Sequence, residues 1–219
     1  SFFLKGYSQE FSPQEKFSID SLKHQISNPS LPDTVKVNSH YYLTLFYYQT
    51  RPDTAIIICK SALNISEKIN YKSGKVEGYG WLGYLHFVLG DNDQSLENHF
   101  KSLELFDEGQ NTFDKAVVLN NIASVYELQG EIDKALEFYK QALDIHILFQ
   151  NAEGAAILLN NIGGIYLNKG DIPKALEIFD KTVNLRKHIN DKEGLAYTYN
   201  NIGSVYETQG DLKKSTEYH

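Results

Sequence analysis

Asn-Asn-Ile-Ala-Ser-Val-Tyr, at residues 120–126, is one of three closely similar segments in this chain. Residues 160–166 read Asn-Asn-Ile-Gly-Gly-Ile-Tyr and residues 200–206 read Asn-Asn-Ile-Gly-Ser-Val-Tyr, so each copy begins 40 residues after the one before. A glycine and an acidic residue follow each copy, and then Lys-Ala-Leu-Glu or a related sequence. A fixed period of this length indicates that the chain is built from structural repeats.

The composition of the 219-residue chain is that of a soluble protein, with 42% hydrophobic and 22% charged residues. The formal net charge of −7 argues against a general nucleic-acid binder, which would present a basic face. The one cysteine, Cys59, cannot form an intrachain disulfide. No apolar run is long enough to span a bilayer.

Both ends of the sequence look incomplete. The chain begins with serine and contains no methionine, and His219 falls in the middle of a repeat, so we expect the natural protein to continue. Residues 1–11 are interpreted either as the remnant of a secretory signal peptide or as an unstructured tail. The first interpretation places the protein on the extracytoplasmic, periplasmic side of a membrane, and the second leaves the cytoplasm open.

The chain before the repeats contains one predicted helix, with an apolar stripe that includes Ile19, Leu22 and Ile26. Pro29 and Pro32 end it, because proline is excluded from helix interiors. We assign residues 12–32 to this helix and its linker. The repeat array follows at residues 33–219, with repeats at about 33–72, 73–112, 113–153 and 154–193 and a partial repeat at 194–219.

The repeats resemble the tetratricopeptide repeat, whose pattern is W-x2-L-G-x2-Y followed by A-x3-F. The third repeat carries the pattern at Leu119, Ile122, Ala123, Tyr126, Ala135 and Tyr139, and the fourth at Leu159, Ile162, Gly163, Tyr166, Ala175 and Phe179. The period of 40 residues, longer than the usual 34, is similar to that of kinesin light chains and the LGN/Pins polarity proteins. The resemblance implies an all-α solenoid of antiparallel helix pairs that form a right-handed superhelix. Residues 33–38, after the first helix, also resemble the start of sensor regions in bacterial histidine kinases and regulators.

In this family the first helices of successive pairs line a peptide-binding groove. The second asparagine of each doublet, Asn121, Asn161 or Asn201, matches the position that holds peptide backbone in the long-repeat relatives. An amide can pair with any extended chain because it offers both donors and an acceptor. The alternative is that these amides bond neighbouring helices and stabilise the stack.

Aromatic residues replace these asparagines in the earlier repeats. Subtracting the period aligns Trp81 and Tyr41 with Asn121, and Tyr84 with Ser124. We therefore predict an aromatic part of the groove at Tyr41, Trp81 and Tyr84, with packing against the N-terminal helix as the alternative. No Lys or Arg stands at the aligned inner positions, which argues against a clamp for a terminal carboxylate.

The sequence shows no catalytic constellation, metal site or cofactor motif. His86 and His99 stand at the aromatic positions of the second repeat, where we favour core-edge imidazoles over metal ligands. Cys59 aligns with the core phenylalanine, so we expect a buried thiol. The predicted function is a non-catalytic scaffold that binds a protein or an extended peptide, as a segment of a larger signalling protein. The alternatives are the input region of a bacterial sensor kinase or regulator, and a self-assembly module acting through the uncapped C-terminal repeat.

Overall fold

The computed structural model describes residues 13–107, 109 and 112–218. Within these ranges the chain forms eleven α-helices and no strands, which confirms the all-α prediction. The prediction for residues 1–11 lies outside the described residues. Contacts divide the chain after Gly109 into two compact units, unit 1 and unit 2.

Unit 1 contains the N-terminal helix and two helix pairs. The bounds of its helices are α1 Pro13–Ser27, α2 Asp33–Tyr47, α3 Pro52–Lys68, α4 Lys72–Val88 and α5 Asn92–Leu103. Each helix packs against the next one in the chain, and α2 also contacts α4. We call α2 and α4 the first helices, and α3 and α5 the second helices, of these pairs.

Unit 2 contains three helix pairs. The bounds of its helices are α6 Phe113–Leu128, α7 Ile132–Leu148, α8 Ala152–Asn168, α9 Ile172–His188, α10 Lys192–Thr208 and α11 Leu212–Tyr218. Neighbouring helices pack in chain order, and the first helices α8 and α10 also touch each other. Such nearest-neighbour packing is the signature of a repeat array.

The glycine before each second helix of unit 2 lets the chain reverse direction. Gly130 and Gly170 have φ angles of 77° and 76°, in the left-handed region that glycine enters without strain. The following amide donates to the carbonyl five residues back, as in the 2.9 Å bond from the Asp171 N–H to the Tyr166 oxygen. This bond closes a Schellman motif, so the Gly-acid dipeptide seen in the sequence ends one helix and starts the next.

The residues after the turn make contacts with the start of the second helix and with the tyrosine that precedes the turn. Asp171 accepts a bond from the Lys174 N–H at the start of α9, whereas Glu131 makes no such capping bond to α7. Lys174 Nζ lies 4.3 Å from the centre of the Tyr166 ring. Equivalent contacts join Lys134 to Tyr126 and Lys214 to Tyr206 at 5.2 and 4.9 Å. The repeated lysine and tyrosine therefore form one cation–π contact across the turn within each helix pair of unit 2.

Small residues mark the closest approach of paired helices. A Cβ atom on Gly163 would lie 2.6 Å from the Phe179 ring, and one on Gly83 would lie 2.5 Å from the His99 ring. Ala135 and Ala175, in the second helices, are fully buried. These positions are those that the repeat pattern predicts to be small.

The first repeat is shifted by one residue relative to the later ones. Helix α2 ends at Tyr47, five residues before α3 begins at Pro52, whereas α6 ends at Leu128, four residues before α7 begins. The buried positions of α2 follow this shift: Val37, Ser39, His40, Leu43 and Thr44 match Ala116, Val118, Leu119, Ile122 and Ala123. Tyr41 therefore corresponds to Asn120 and Tyr42 to Asn121, which corrects the alignment made by subtracting the period.

The predicted N-terminal helix is present and packs against the first repeat. Ile19 is buried, and Leu22 and Ile26 contact the same core. The Ser39 hydroxyl donates to Gln25 Oε1 over 2.7 Å, which ties α2 to α1.

Candidate functional site

The three predicted asparagines lie on the first helices of unit 2. Asn121, Asn161 and Asn201 are each partly exposed on α6, α8 and α10, and we call the surface around them the amide face. Asn201 Nδ2 donates to Asn160 Oδ1 over 3.1 Å and joins α10 to α8. One of the three amides thus contributes to helix packing, while all three keep surface open to solvent.

A row of exposed apolar side chains runs beside these amides. Val117, Ile157 and Tyr197 are 55%, 47% and 60% exposed. Each lies four residues before an asparagine of the amide face, so the two sets share one side of their helices. We call these three residues the apolar row. Sequence reasoning missed them, although their 40-residue spacing was readable, because apolar character by itself suggested burial.

A row of small residues follows on the same side of the helices. Ser124, Gly164 and Ser204 occupy equivalent positions and are partly exposed. Apart from its chain neighbours and the adjacent backbone of α8, no atom lies within 4 Å of the position that a Cβ on Gly164 would take. Gly164 therefore faces open space, unlike its neighbour Gly163.

The charges on this side of unit 2 are negative. Glu127 and Glu207 share one repeat position, at which α8 has Leu167, and Glu153 and Glu193 share another, at which α6 has Phe113. Glu127 accepts a 2.9 Å hydrogen bond from the Tyr139 hydroxyl, and the other three are exposed. The amide face is thus rimmed by carboxylates.

Unit 1 carries a cluster of aromatic rings. The ring centres of Tyr48 and Trp81 are 5.9 Å apart, those of Tyr48 and Tyr84 are also 5.9 Å apart, and those of Trp81 and Tyr84 are 6.0 Å apart. All three side chains are partly exposed, and we call them the aromatic cluster. Burial, and to a lesser extent the neighbouring Tyr48, raises the pKa of the Tyr84 hydroxyl. The sequence singled out Trp81 and Tyr84 but missed Tyr48, which the longer turn after α2 brings beside them.

Tyr41 does not belong to this cluster. Its side chain is 2% exposed, and its hydroxyl donates to the Gly74 carbonyl over 2.6 Å. The prediction that Tyr41 offers an aromatic surface to a ligand is therefore wrong, because the one-residue shift turns it toward α4. Tyr42 takes the outward position and is 61% exposed.

Of the residues considered for chemistry, His99 and Cys59 lie in the core, whereas His86 is partly exposed. His99 is buried, and this burial lowers its pKa to about 4. The Cys59 thiol donates to the Gly78 carbonyl over 3.3 Å, and its burial raises its pKa to about 12, so it remains a protonated thiol rather than a nucleophile. Among the described residues no group of three His, Cys, Asp or Glu side chains could hold a metal ion. No helix in the described ranges is long and apolar enough to cross a membrane.

Comparisons with known proteins agree with this architecture. The tetratricopeptide repeat family model matches residues 76–147 and 154–219. A sequence search of curated proteins gave no significant match. Because the family model matches more than half of the chain, the chain belongs to the tetratricopeptide repeat family.

Solved structures of similar fold include BtubC (BKLC) from P. vanneervenii, with a TM-score of 0.82, 18% identity and coverage of 95% of this chain and 89% of that one. A signal-transduction ATPase (STAND protein) with a tetratricopeptide repeat sensor from Pyrococcus horikoshii gives a TM-score of 0.73 and 19% identity over 94% of this chain and 32% of that one. A Rap protein complexed with competence and sporulation factor gives a TM-score of 0.71 and 17% identity over 96% and 64%. At these identities the likeness concerns the fold.

Proposed function

We propose that the amide face of unit 2 binds an extended peptide segment of a partner protein, through main-chain hydrogen bonds to Asn121, Asn161 and Asn201. The observation that carries the proposal is the apolar row: three large side chains remain exposed beside a line of amides. Such a surface suits a ligand that buries apolar groups while its backbone pairs with the amides. The tetratricopeptide repeat fold is a scaffold for protein–protein interaction, so this use fits the family.

The aromatic cluster of unit 1 is proposed as an anchoring surface for the same class of partner. Trp81, Tyr84 and Tyr48 present rigid, partly exposed rings, and aromatic anchors commonly contribute most of the binding energy of an interface. A neutral hydrogen bond contributes only about 0.5–1.5 kcal/mol, so three amides alone would bind weakly.

The test is selection from a displayed library of random twelve-residue peptides against the whole chain, followed by affinity measurements on variants. Gly164→Trp fills the open space on the amide face, and a triple Asn→Ala variant at residues 121, 161 and 201 removes the amides. Gln141→Trp is the matched control, because it places the same ring on an exposed position of the second helix α7. Selected peptides should lose affinity to the first two variants and keep it to the control. Equal binding to all variants with unchanged melting would refute the proposal.

A role as the input region of a larger regulator is the second candidate. It draws on the STAND neighbour, in which a tetratricopeptide repeat sensor is one part of a longer chain. The natural coding sequence on both sides of residues 1–219 tests it, since a kinase, ATPase or DNA-binding region on either side would support this role, and the lack of one on both sides would count against it.

Self-association is the third candidate. A cleft of about 490 Å³ opens between α9, α10 and α11, with Val183, Tyr199, Ile202 and Tyr218 in its lining. Tyr199 and Tyr218 are partly exposed in this cleft. Uncovered apolar surface favours association with a second copy.

A further inference from the structure

We infer that the ligand of the amide face is a basic segment in the left-handed polyproline conformation, with an apolar side chain at every third residue. This inference rests on the proposed function and specifies the chemistry of the partner.

The apolar row determines the spacing of the ligand's side chains. The hydrogen bond between Asn201 and Asn160 shows that α8 and α10 lie side by side at the level of the amides. Ile157 and Tyr197 lie within one turn of these asparagines, on neighbouring helices. Packed helices are about 8–10 Å apart, so a ligand that crosses them needs one apolar contact at each such interval.

Only one extended conformation matches this interval on a single face. A polyproline helix rises about 3.1 Å per residue with three residues per turn, so every third side chain points the same way at intervals of about 9 Å. A β-strand places same-face side chains about 7 Å apart for alternate residues and about 13 Å apart for every fourth residue. Neither strand interval matches the helix spacing.

The amides suit the backbone of such a ligand. A polyproline helix has no internal hydrogen bonds, so its carbonyl groups and remaining N–H groups are free to pair with side-chain amides. Gly164 faces open space between Ser124 and Ser204, and this row of small residues lets a ligand backbone come close to α8. Glycine within a helix destabilises it by up to about 1 kcal/mol relative to alanine. Because nothing in unit 2 packs closely against Gly164, contacts within the unit do not explain why this destabilising glycine stands in α8.

The charge of the face selects a basic partner. Glu153 and Glu193 each lie four residues before a member of the apolar row, and Glu207 is exposed further along α10. No Lys or Arg occurs at positions 113, 117, 120, 121, 124, 127 and 128 or at the positions 40 and 80 residues later. Lysine or arginine between the apolar residues of the ligand would therefore meet carboxylates with no competing cation in these rows.

The test uses a synthetic twelve-residue peptide of four Leu-Lys-Pro units, labelled for fluorescence anisotropy, with the whole chain. A matched peptide contains the same twelve residues with leucine at alternate positions, and a second matched peptide replaces every lysine with glutamate. The period-three basic peptide should bind, and each matched peptide should bind about tenfold more weakly or worse. Ile157→Ser and Gly164→Trp should weaken binding by a similar factor, while Gln141→Trp should not.

The outcomes separate this inference from the proposed function. The inference would be overturned if the period-three peptide did not bind, or if the alternate-spacing peptide or the glutamate peptide bound equally well. It would also be overturned if Ile157→Ser had no effect on binding. If library-selected peptides are sensitive to Gly164→Trp but lack the three-residue period, the proposed function stands and the inference fails. If no peptide is sensitive to Gly164→Trp, both fail.

Discussion

His99 shows how one residue can depart from the repeat pattern at a measurable cost. Its ring takes the position that Tyr139 and Phe179 hold in later repeats, against Gly83 rather than Ala123 or Gly163. Its Nδ1 atom is buried without a hydrogen-bond partner, and burial is the cause of the lowered pKa of about 4. A buried polar atom without a partner destabilises the fold, so phenylalanine should suit this place better.

We predict that His99→Phe reduces the loss of stability in acid. Between pH 6.5, the ordinary histidine pKa, and the folded pKa of about 4, the unfolded chain binds a proton that the folded chain does not. This difference costs the parent about 2 kcal/mol of unfolding free energy by pH 5, and the variant removes that part. Burial also lowers the pKa of His146, so some acid sensitivity should remain.

Urea unfolding at pH 7.5 and pH 5 measures the effect. The exposed Ile57, changed to threonine, is the control and should leave the pH dependence unaltered. Parallel curves for the parent and His99→Phe would show that His99 takes up its proton in the folded state as readily as in the unfolded one.

In helix α8, two adjacent glycines face different surroundings. Gly163 faces Phe179 of α9, and Gly164 faces open space on the amide face. The 100° rotation between consecutive helical residues separates the packing side from the exposed side.

We predict that alanine substitutions at these neighbours have opposite signs. Gly164→Ala should raise the unfolding free energy by about 0.5–1 kcal/mol, because alanine favours the helix and its methyl group meets no atom. Gly163→Ala should lower it by about 1–3 kcal/mol, because the Phe179 ring must move. Thermal and urea unfolding of the two variants provide the measurement. Destabilisation by both would mean that the assigned sides of α8 are incorrect.

At the scale of the whole molecule, the 40-residue repeat places equivalent side chains at the same position of successive first helices. A side chain that stands alone on one helix recurs 40 residues later at the same position of the next first helix, as Asn161 and Asn201 do. Because unit 2 is held together by contacts between neighbouring helices, the rows need no long-range pairing to form. The amide face is a product of this arrangement.

We predict that the chain self-associates through the cleft between α9, α10 and α11. Sedimentation velocity should show a concentration-dependent shift toward a larger species, driven by burial of Tyr199 and Tyr218. The double variant Tyr199→Ser and Tyr218→Ser should sediment as a monomer, while Tyr42→Ser, at an exposed tyrosine of unit 1, should behave as the parent does. A parent that remains monomeric at high concentration would exclude this candidate.

The sequence by itself determined the repeat family, the helix pairs and the small residues at their contacts. These features depend on local chemistry, since a turn glycine, a capping acid and an apolar stripe are read within a few residues. The sequence also placed Asn121, Asn161, Asn201, Trp81 and Tyr84 on the first helices, where they are partly exposed, and their role in binding stays a prediction.

Only the tertiary structure decided the register of the first repeat and the composition of the exposed surfaces. One additional residue in the turn after α2 shifts the helix, buries Tyr41 and brings Tyr48 beside Trp81, and fixed-period counting assumes turns of constant length. The apolar row was hidden for a related reason. Val117, Ile157 and Tyr197 are residue types that commonly lie in protein cores. Only the packing of neighbouring helices determines that this side of the first helices stays uncovered.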